Sequence, residues 1–456
     1  MSRSLSVVAL VVLLTTGCDT PPGEADDGGV IDSGVVVPVD AGVRDAGVSD
    51  AGATDAGVID AGATDAGAVD AGVMDAGIVD AGMPDAGVAD AGGVDAGFFF
   101  PAQRIDSALL DGGAVRHVLA ADVDQDGHLD LIISGTPRAV LFGDGDGGFP
   151  TPQLLPTTGV AAMSAIVDVN ADGLPDIVTS NSNLSTRPFS LSTNVGARQF
   201  STVGGASAGP TTVLAPLGRG DGGVEFVFQS GGSSGVLHHT VLPDGGWFAS
   251  GPTLEPASTY EGDPNLAVFD FTGDGQRDLV LIRPATPNTQ MVYLAKEDGG
   301  FVERARFPVP FQTDQWTYQQ NVIEPSGALL ALGWETAPMT GLSVQRIFRA
   351  QSDGGFDTAF AYPYTLSSSL ALALADFEGD GVPELLLTRG SGVDPSPGGD
   401  LLVLGNDGGT YVELDRASSL PRNANTMAVG DFDEDGRLDV VVGFYQEQPL
   451  MLLRGR

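Results

Sequence analysis

From Phe98 to the carboxyl terminus, short runs of aliphatic and β-branched residues alternate with polar turns rich in glycine. Short apolar runs bounded by turn residues are typical of β-strands, and no stretch here has the apolar period of an amphipathic helix. Glycine occupies 65 of 456 positions, about twice its average usage. A chain with many tight turns requires this abundance of glycine. The pattern predicts an all-β domain over residues 98–456.

Five of the apolar runs follow directly on an acidic loop of nine residues. The loops share the pattern D-x-[DNTE]-x-D-G-x-x-[DE], and they begin at Asp122, Asp168, Asp270, Asp376 and Asp431. The spacing indicates a repeat of about 50 residues in which two copies have degraded. We place the degraded copies at Leu217–Glu225 and near Glu324.

A second set of turns repeats at the same spacing and ends in an aromatic residue. These turns lie at Asp146–Phe149, Asn194–Phe200, Asp244–Trp247, Asp298–Phe301, Asp353–Phe356 and Asn406–Tyr411. Asp-Gly favours the tight turns that join antiparallel strands. The turns also mark the two units without an acidic loop, so the count is seven. Each unit is predicted as strand A, acidic loop, strand B, variable loop, strand C, glycine turn and strand D.

A four-stranded sheet repeated at this spacing predicts a seven-bladed β-propeller. The seventh unit ends after its strand C, at Arg456. The segment Asp95–Gln103, DAGFFFPAQ, is similar to Asp146–Gln153, DGGFPTPQ, which leads into strand D of the first unit. We therefore expect residues near Gln103 to supply the missing strand and to close the ring.

The acidic loops carry the oxygen ligands of a calcium site. Ca²⁺ takes six to eight oxygens, which the side chains at loop positions 1, 3, 5 and 9 and the backbone carbonyl at position 7 can supply. Without a cation, each close carboxylate pair would repel by up to about 4 kcal/mol at an effective dielectric near 20. We expect about five Ca²⁺ ions, with Thr272 weakening the fourth site. The candidate ligands are Asp122, Asp124, Asp126, His128 and Asp130; Asp168, Asn170, Asp172, Leu174 and Asp176; Asp270, Thr272, Asp274, Gln276 and Asp278; Asp376, Glu378, Asp380, Val382 and Glu384; and Asp431, Asp433, Asp435, Arg437 and Asp439.

An EF-hand loop requires a glutamate at position 12. That position holds Ile133, Thr179, Leu281, Leu387 and Val442. The repeats instead resemble the FG-GAP or VCBS repeats of integrin-α-like β-propellers, over residues 98–456. The resemblance implies that each loop joins strands A and B of a blade and holds Ca²⁺. In the third unit Leu217 and Arg219 occupy ligand positions, where the charge of Arg219 could replace the ion, and the fifth unit has no recognisable site.

The first 97 residues predict export and a tether. Residues 1–18 combine Arg3, an apolar core and a small-residue site before Cys18, the single cysteine of the chain. This is a signal peptide that resembles a bacterial lipoprotein box, which implies acylation of Cys18. Within residues 19–97, Asp-Ala-Gly recurs every five residues from Asp40 to Asp95. Such a composition cannot bury a core, so we predict a disordered, acidic, low-complexity linker.

Charge and motif content restrict the classes of partner and of activity that the sequence allows. A formal net charge of −39 makes nucleic acid and anionic lipid poor partners. His238 and His239 are adjacent and would face opposite sides of a strand. Gly205–Gly209 fits G-x-S-x-G, but no helix follows to form a nucleophile elbow. We therefore predict a protein that is not an enzyme.

The variable loops between blades offer the remaining candidate surface. Exposed aromatic residues on such loops suit protein or glycan binding, and here they are Tyr260, Trp316, Tyr318, Tyr362 and Tyr364. The sequence thus predicts a monomeric binding or adhesion module outside the cytoplasm. It would be anchored in a bacterial membrane by Cys18, with the outer membrane or cell surface favoured. A calcium-containing polysaccharide lyase and a purely structural surface component remain open as alternatives.

Overall fold

A computed structural model describes most of the chain beyond residue 96. The described residues are 97–106, 110, 113–156, 161–181, 189–204, 211–220, 223–230, 235–244, 246–249, 265–269, 277–283, 289–295, 301–308, 321–336, 343–350, 356–361, 371–389, 399–421, 424–444 and 450–456. All regular structure in these ranges is β-strand. This part of the chain therefore contains no helix with the length and apolar character needed to cross a membrane.

The described residues form 28 strands in seven four-stranded sheets. The first strand, β1 (Gln103–Arg104), belongs to the last sheet. Sheet 1 contains β2 (Ala114–Ala121), β3 (Asp130–Thr136), β4 (Ala139–Phe142) and β5 (Thr151–Leu154). Sheet 2 contains β6 (Ala161–Val167), β7 (Asp176–Asn181), β8 (Phe189–Asn194) and β9 (Phe200–Gly204). Sheet 3 contains β10 (Thr211–Gly220), β11 (Gly223–Ser230), β12 (Gly235–Val241) and β13 (Trp247–Ala249).

The remaining sheets continue in chain order. Sheet 4 contains β14 (Asn265–Phe269), β15 (Asp278–Arg283), β16 (Thr289–Ala295) and β17 (Phe301–Pro308). Sheet 5 contains β18 (Asn321–Ile323), β19 (Leu329–Thr336), β20 (Ser343–Ala350) and β21 (Phe356–Ala361). Sheet 6 contains β22 (Leu372–Ala375), β23 (Glu384–Arg389), β24 (Gly399–Asp407) and β25 (Thr410–Leu420). Sheet 7 contains β26 (Ala424–Gly430), β27 (Asp439–Phe444), β28 (Leu450–Leu453) and β1.

Sheet 7 joins the two ends of the described chain. Its strand order is β1-β28-β27-β26, and β1 pairs antiparallel with β28, with Gln103 opposite Leu452 and Arg104 opposite Met451. An isolated bridge between Phe99 and Gly455 extends this pairing. The prediction that the amino-terminal segment supplies the last strand is confirmed.

The sheets pack face to face in a ring. The first strand of each sheet contacts the first strand of the next, from β2 through β6, β10, β14, β18 and β22 to β26, which returns to β2. Separate apolar clusters fill the spaces between neighbouring sheets, for example between sheets 7 and 1 and between sheets 6 and 7. This arrangement is that of a β-propeller.

The position of the second strand in each sheet explains the uninterrupted apolar runs that follow the acidic loops. β3 lies between β2 and β4, and sheets pack on both of its faces. Leu131, Ile132 and Ile133 are all fully buried. A strand covered on both faces does not alternate apolar with polar residues.

The two units without an acidic loop differ at the corresponding connection. In sheet 3 the strands β10 and β11 remain paired up to Gly220 opposite Gly223, so a tight hairpin replaces the loop. Leu217 is buried within β10. In sheet 5 a short turn joins β18 to β19, closed by a hydrogen bond from the Glu324 amide to the Ala328 carbonyl at 2.9 Å.

Candidate metal-binding loops

Each acidic loop that the structure describes connects the first and second strands of its sheet. These loops are residues 122–130 in sheet 1, 168–176 in sheet 2, 376–384 in sheet 6 and 431–439 in sheet 7. Of the predicted ligands of the fourth loop, Asp270, Thr272, Asp274 and Gln276 lie outside the described residues. Asp278 is described, and it is buried at the start of β15.

The four described loops share one backbone conformation. Loop position 4 is left-handed in each, with φ of 60° at Gln125, 61° at Ala171, 69° at Gly379 and 54° at Glu434. Position 6 is glycine in each loop, with φ between 85° and 98°. Residues other than glycine rarely adopt positive φ. Three such residues at the same loop position indicate a conformation that the surrounding contacts impose.

Carboxylates inside each loop hold this conformation. In the first loop Asp122 accepts the backbone N–H groups of Asp126 at 3.1 Å and Gly127 at 3.0 Å. Asp126 in turn accepts the N–H of His128 at 3.0 Å. The same glycine and position-7 contacts recur around Asp168, Asp172, Asp376, Asp380, Asp431 and Asp435. The carboxylates at positions 1 and 5 therefore hold the backbone of each loop through hydrogen bonds.

The ninth loop residue is a buried carboxylate that begins the second strand. Asp130 is fully buried, and its two oxygens accept the N–H groups of Val123 and Gly143, both at 2.9 Å. Asp176 and Asp439 are buried in the same way and accept the two equivalent backbone N–H groups, and the buried Glu384 accepts one of them, from Phe377. This residue ties the loop to the strand that follows it.

Burial disfavours ionisation of the ninth residue in these loops. Burial and, to a smaller extent, the neighbouring carboxylates of Asp124 and Asp122 raise the pKa of Asp130 to about 7, despite two backbone hydrogen bonds that lower it. The same cause raises the pKa of Asp176 and of Asp439 to about 6. A bound cation would offset this cost, because it favours the charged form of each ligand.

Two loops bring three carboxylates together. Within the described residues, only Asp122, Asp124 and Asp130, and likewise Asp431, Asp433 and Asp439, offer three acidic ligand atoms within 4.8 Å of one another. In the seventh loop one oxygen of Asp431 and one of Asp433 are buried without a hydrogen-bond partner. Unsatisfied buried oxygens are costly. A hard cation with oxygen ligands fits this donor set, so these clusters could hold a metal ion.

Arginines that the sequence analysis did not identify pair with these carboxylates. Arg198, in the turn between β8 and β9, pairs with Asp124 and lies 2.7 Å from Asp126. Arg454, just after β28, donates to Asp433 at 3.1 Å and to the carbonyl of Asp146 in sheet 1 at 2.7 Å. Because Arg198 is 74 residues distant from Asp124 along the chain, local spacing gives no signal for the pair.

Contacts between loops also cross from one sheet to the next. His128 of the first loop pairs with Glu434 of the seventh. Asn194, at the end of β8, donates to the carbonyl of Val123 at 2.5 Å. The other predicted site residues, Cys18, Tyr260, Trp316, Tyr318, Tyr362 and Tyr364, lie outside the described residues.

Comparison with known proteins supports the fold. Residues 122–179, which contain the first two acidic loops, match the model of the FG-GAP-like repeat. The crystal structure of BBS1N in complex with ARL6DN, soaked with mercury, is similar with a TM-score of 0.51 and 8% identity, over 78% of this chain and 96% of that one. The lead-soaked complex gives 0.50 and 10%, with the same coverage. Sqt1 of Saccharomyces cerevisiae gives 0.46 and 9%, over 79% and 99%.

No curated protein matches the chain by sequence. The ring of four-stranded sheets and its structural neighbours define a β-propeller. Within it, residues 122–179, which carry the first two acidic loops, are similar to the FG-GAP-like repeat.

Proposed function

We propose that this protein is an exported, lipid-anchored, calcium-binding β-propeller that acts as a binding or adhesion module for a protein or glycan. In this proposal Ca²⁺ fills the five acidic loops, Cys18 carries the lipid, and residues 19–97 form the tether. The protein is a monomer without catalytic activity, located at the outer membrane or cell surface.

The observation that carries the metal assignment is the donor set of the seventh loop. Two buried aspartate oxygens there have no partner, and three carboxylates converge within 4.8 Å. The loops in sheets 1, 2 and 6 have the same left-handed residue at position 4 and the same glycine at position 6. Ca²⁺ accepts carboxylate and carbonyl oxygens in flexible geometry, which supports its assignment to all of these loops.

The distribution of contacts supports a binding role for the opposite face of the ring. The acidic loops and the turns between third and fourth strands meet on one face, where Asn194 contacts Val123 and Gly147 contacts Phe432. The variable loops connect the opposite ends of the strands. Binding residues are commonly carried by loops on a rigid scaffold.

Calcium stoichiometry tests the metal assignment. Native mass spectrometry of the full chain in detergent should detect about five Ca²⁺ ions, and chelation should remove them and lower the melting temperature. Asp122→Asn and Asp431→Asn should each lose one ion, whereas Asp146→Asn, in a turn outside the loops, should lose none. A chain that binds no ion, or that melts identically in EDTA, would contradict calcium binding.

Anchoring and ligand binding need separate tests. Cys18→Ala should move the protein from the membrane fraction to the soluble fraction and abolish incorporation of a fatty-acid label. A glycan and protein array should identify a saturable ligand whose binding survives changes in the acidic loops. Turnover of an acidic polysaccharide would instead favour the lyase alternative, and neither ligand nor turnover would favour a structural component.

A further inference from the structure

The seventh acidic loop holds the carboxyl terminus of the chain. Arg454 donates to the Asp433 carboxylate at 3.1 Å, and the N–H of Gly455 donates to Asp439 at 2.8 Å. Asp433 and Asp439 are two of the three members of the seventh acidic cluster. The last residues of the chain are therefore attached directly to a candidate metal site.

The same carboxyl-terminal residues hold the amino-terminal strand. The N–H of Phe100 donates to the Arg454 carbonyl at 2.9 Å, and the N–H of Arg456 donates to the Phe98 carbonyl at 2.9 Å. Strand β1 itself is only two residues long. These bonds supplement the pairing of β1 with β28, the hydrogen bond from the Phe98 N–H to Asp415 and the packing of Phe99 against Phe377. Residues 454–456 thus help to hold the amino-terminal segment in place. We call residues 454–456 the latch.

Arg454 also joins the loop to the next sheet. One terminal nitrogen of its guanidinium contacts Asp433, and the other donates to the Asp146 carbonyl in the turn between β4 and β5 at 2.7 Å. The side chain of Asp433 is only 11% exposed. Its second oxygen is buried and has no partner, which leaves that oxygen available to a cation while Arg454 holds the first.

We propose that a divalent cation in the seventh loop secures the amino-terminal strand, because it fixes Asp433 and Asp439 and thereby fixes the latch to which that strand is hydrogen-bonded. Arg454 is a positioning residue in this device and not a metal ligand. The proposal rests on the proposed function, since it requires that the seventh loop binds the cation. It goes further by giving that one loop a task that the other loops do not have.

The first loop provides a matched control. It also gathers three carboxylates, and its position-3 residue, Asp124, also pairs with an arginine, Arg198. However, Arg198 lies in the turn between β8 and β9 of sheet 2. This pair therefore joins two sheets that are consecutive in the chain, and it contacts neither the amino-terminal strand nor the latch. The first loop also contacts the seventh through His128 and Glu434, but this pair includes neither Asp433 nor Asp439. Loss of a cation from the first loop should therefore loosen the junction of sheets 1 and 2 and leave the latch closed.

Hydrogen–deuterium exchange of the full chain, with Ca²⁺ and with EDTA, tests the proposal. Peptides covering residues 98–106 and 450–456 should exchange at least about tenfold faster in EDTA, because local opening frees their amides. Asp433→Asn should show the fast exchange even with Ca²⁺. Asp124→Asn should keep the latch peptides protected by Ca²⁺.

Arg454→Met separates positioning from ligation. It should keep the number of bound ions in native mass spectrometry but lose the Ca²⁺-dependent protection of residues 98–106. If ions bind and the latch peptides exchange equally with and without Ca²⁺, or if Asp124→Asn exposes them as much as Asp433→Asn, the latch is refuted while calcium binding stands. If no ion binds at all, both proposals fail.

Discussion

Acidification should lower the free energy of unfolding through one buried histidine. His117 lies in β2 with only 5% of its surface exposed. Its Nδ1 accepts the backbone N–H of Ser164 in β6 at 3.4 Å, a role that only the neutral imidazole can fill. Burial lowers the pKa of His117 from 6.5 to about 4. Between these values the ring is charged in the unfolded chain and neutral in the folded protein.

The size of the effect follows from the difference between the two pKa values. The unfolded chain takes up the proton near pH 6.5 and the folded protein only near pH 4. Stability from this group is therefore complete above pH 6.5 and is lost as the pH falls to 4. The shift corresponds to about 3 kcal/mol, a large share of the 5–15 kcal/mol that is typical of a folded domain.

Urea unfolding from pH 8 to pH 4, on the wild type and His117→Gln, measures this contribution. The carboxylates titrate in both proteins, so the difference between them isolates the histidine. The wild type should lose about 3 kcal/mol relative to the variant across this range. His128→Gln is the control, because His128 is partly exposed and pairs with Glu434. This variant should still lose about as much stability as the wild type when the pH falls from 6.5 to 4. Parallel stability curves for the wild type and His117→Gln would refute the reasoning.

Three further changes test single contacts by thermal unfolding. Ala171→Gly should hold or raise stability by up to about 1 kcal/mol, because position 4 of its loop is left-handed, and a clear loss would contradict an imposed conformation. Gly147→Ala would place a Cβ 2.7 Å from the latch guanidinium; it should therefore cost more than Gly408→Ala, where φ is also positive but nothing lies within 4 Å. Glu324→Ala should cost about 3 kcal/mol, because it leaves the largely buried Arg349 without its carboxylate partner. Glu413→Ala, at an exposed ion pair, should cost less than about 1 kcal/mol, and equal losses for the two glutamates would be contrary to expectation.

The parts of the fold that depend on local chemistry could be predicted from the sequence. Acidic loops and Asp-Gly turns have local signatures, and both connect the strands that the repeat implied. The closing strand could also be predicted, because Asp95–Gln103 is similar to Asp146–Gln153. In the structure, strand β1 of the last sheet is Gln103–Arg104, so it begins at the last residue of this segment.

Contacts between distant parts of the chain could not be predicted. The sequence treats every acidic residue of a loop as an equal ligand, but Asp130 already uses both oxygens on backbone N–H groups. Asp124 pairs with an arginine from another sheet. Such roles depend on which strand lies beside the loop in space, and no local pattern encodes that. The third unit keeps its position in the repeat, but a hairpin replaces its acidic loop. The Gly-Asp-Gly that remains in its sequence did not predict this hairpin.

The fifth sheet shows how charged side chains connect neighbouring sheets on the face of the acidic loops. It lacks an acidic loop, yet its turn carries the buried Glu324, which pairs with Arg349 at 2.5 Å and accepts the hydroxyl of Tyr411 in sheet 6 at 2.6 Å. Arg349 also donates to the Gly409 carbonyl in sheet 6. Arg454 makes the same kind of bridge between sheets 7 and 1. A charged side chain therefore joins adjacent sheets even at a connection where the described residues form no cluster of three acidic groups. On the face of the acidic loops, charged side chains thus join neighbouring sheets, which supports the proposal that a protein or glycan ligand binds the opposite face.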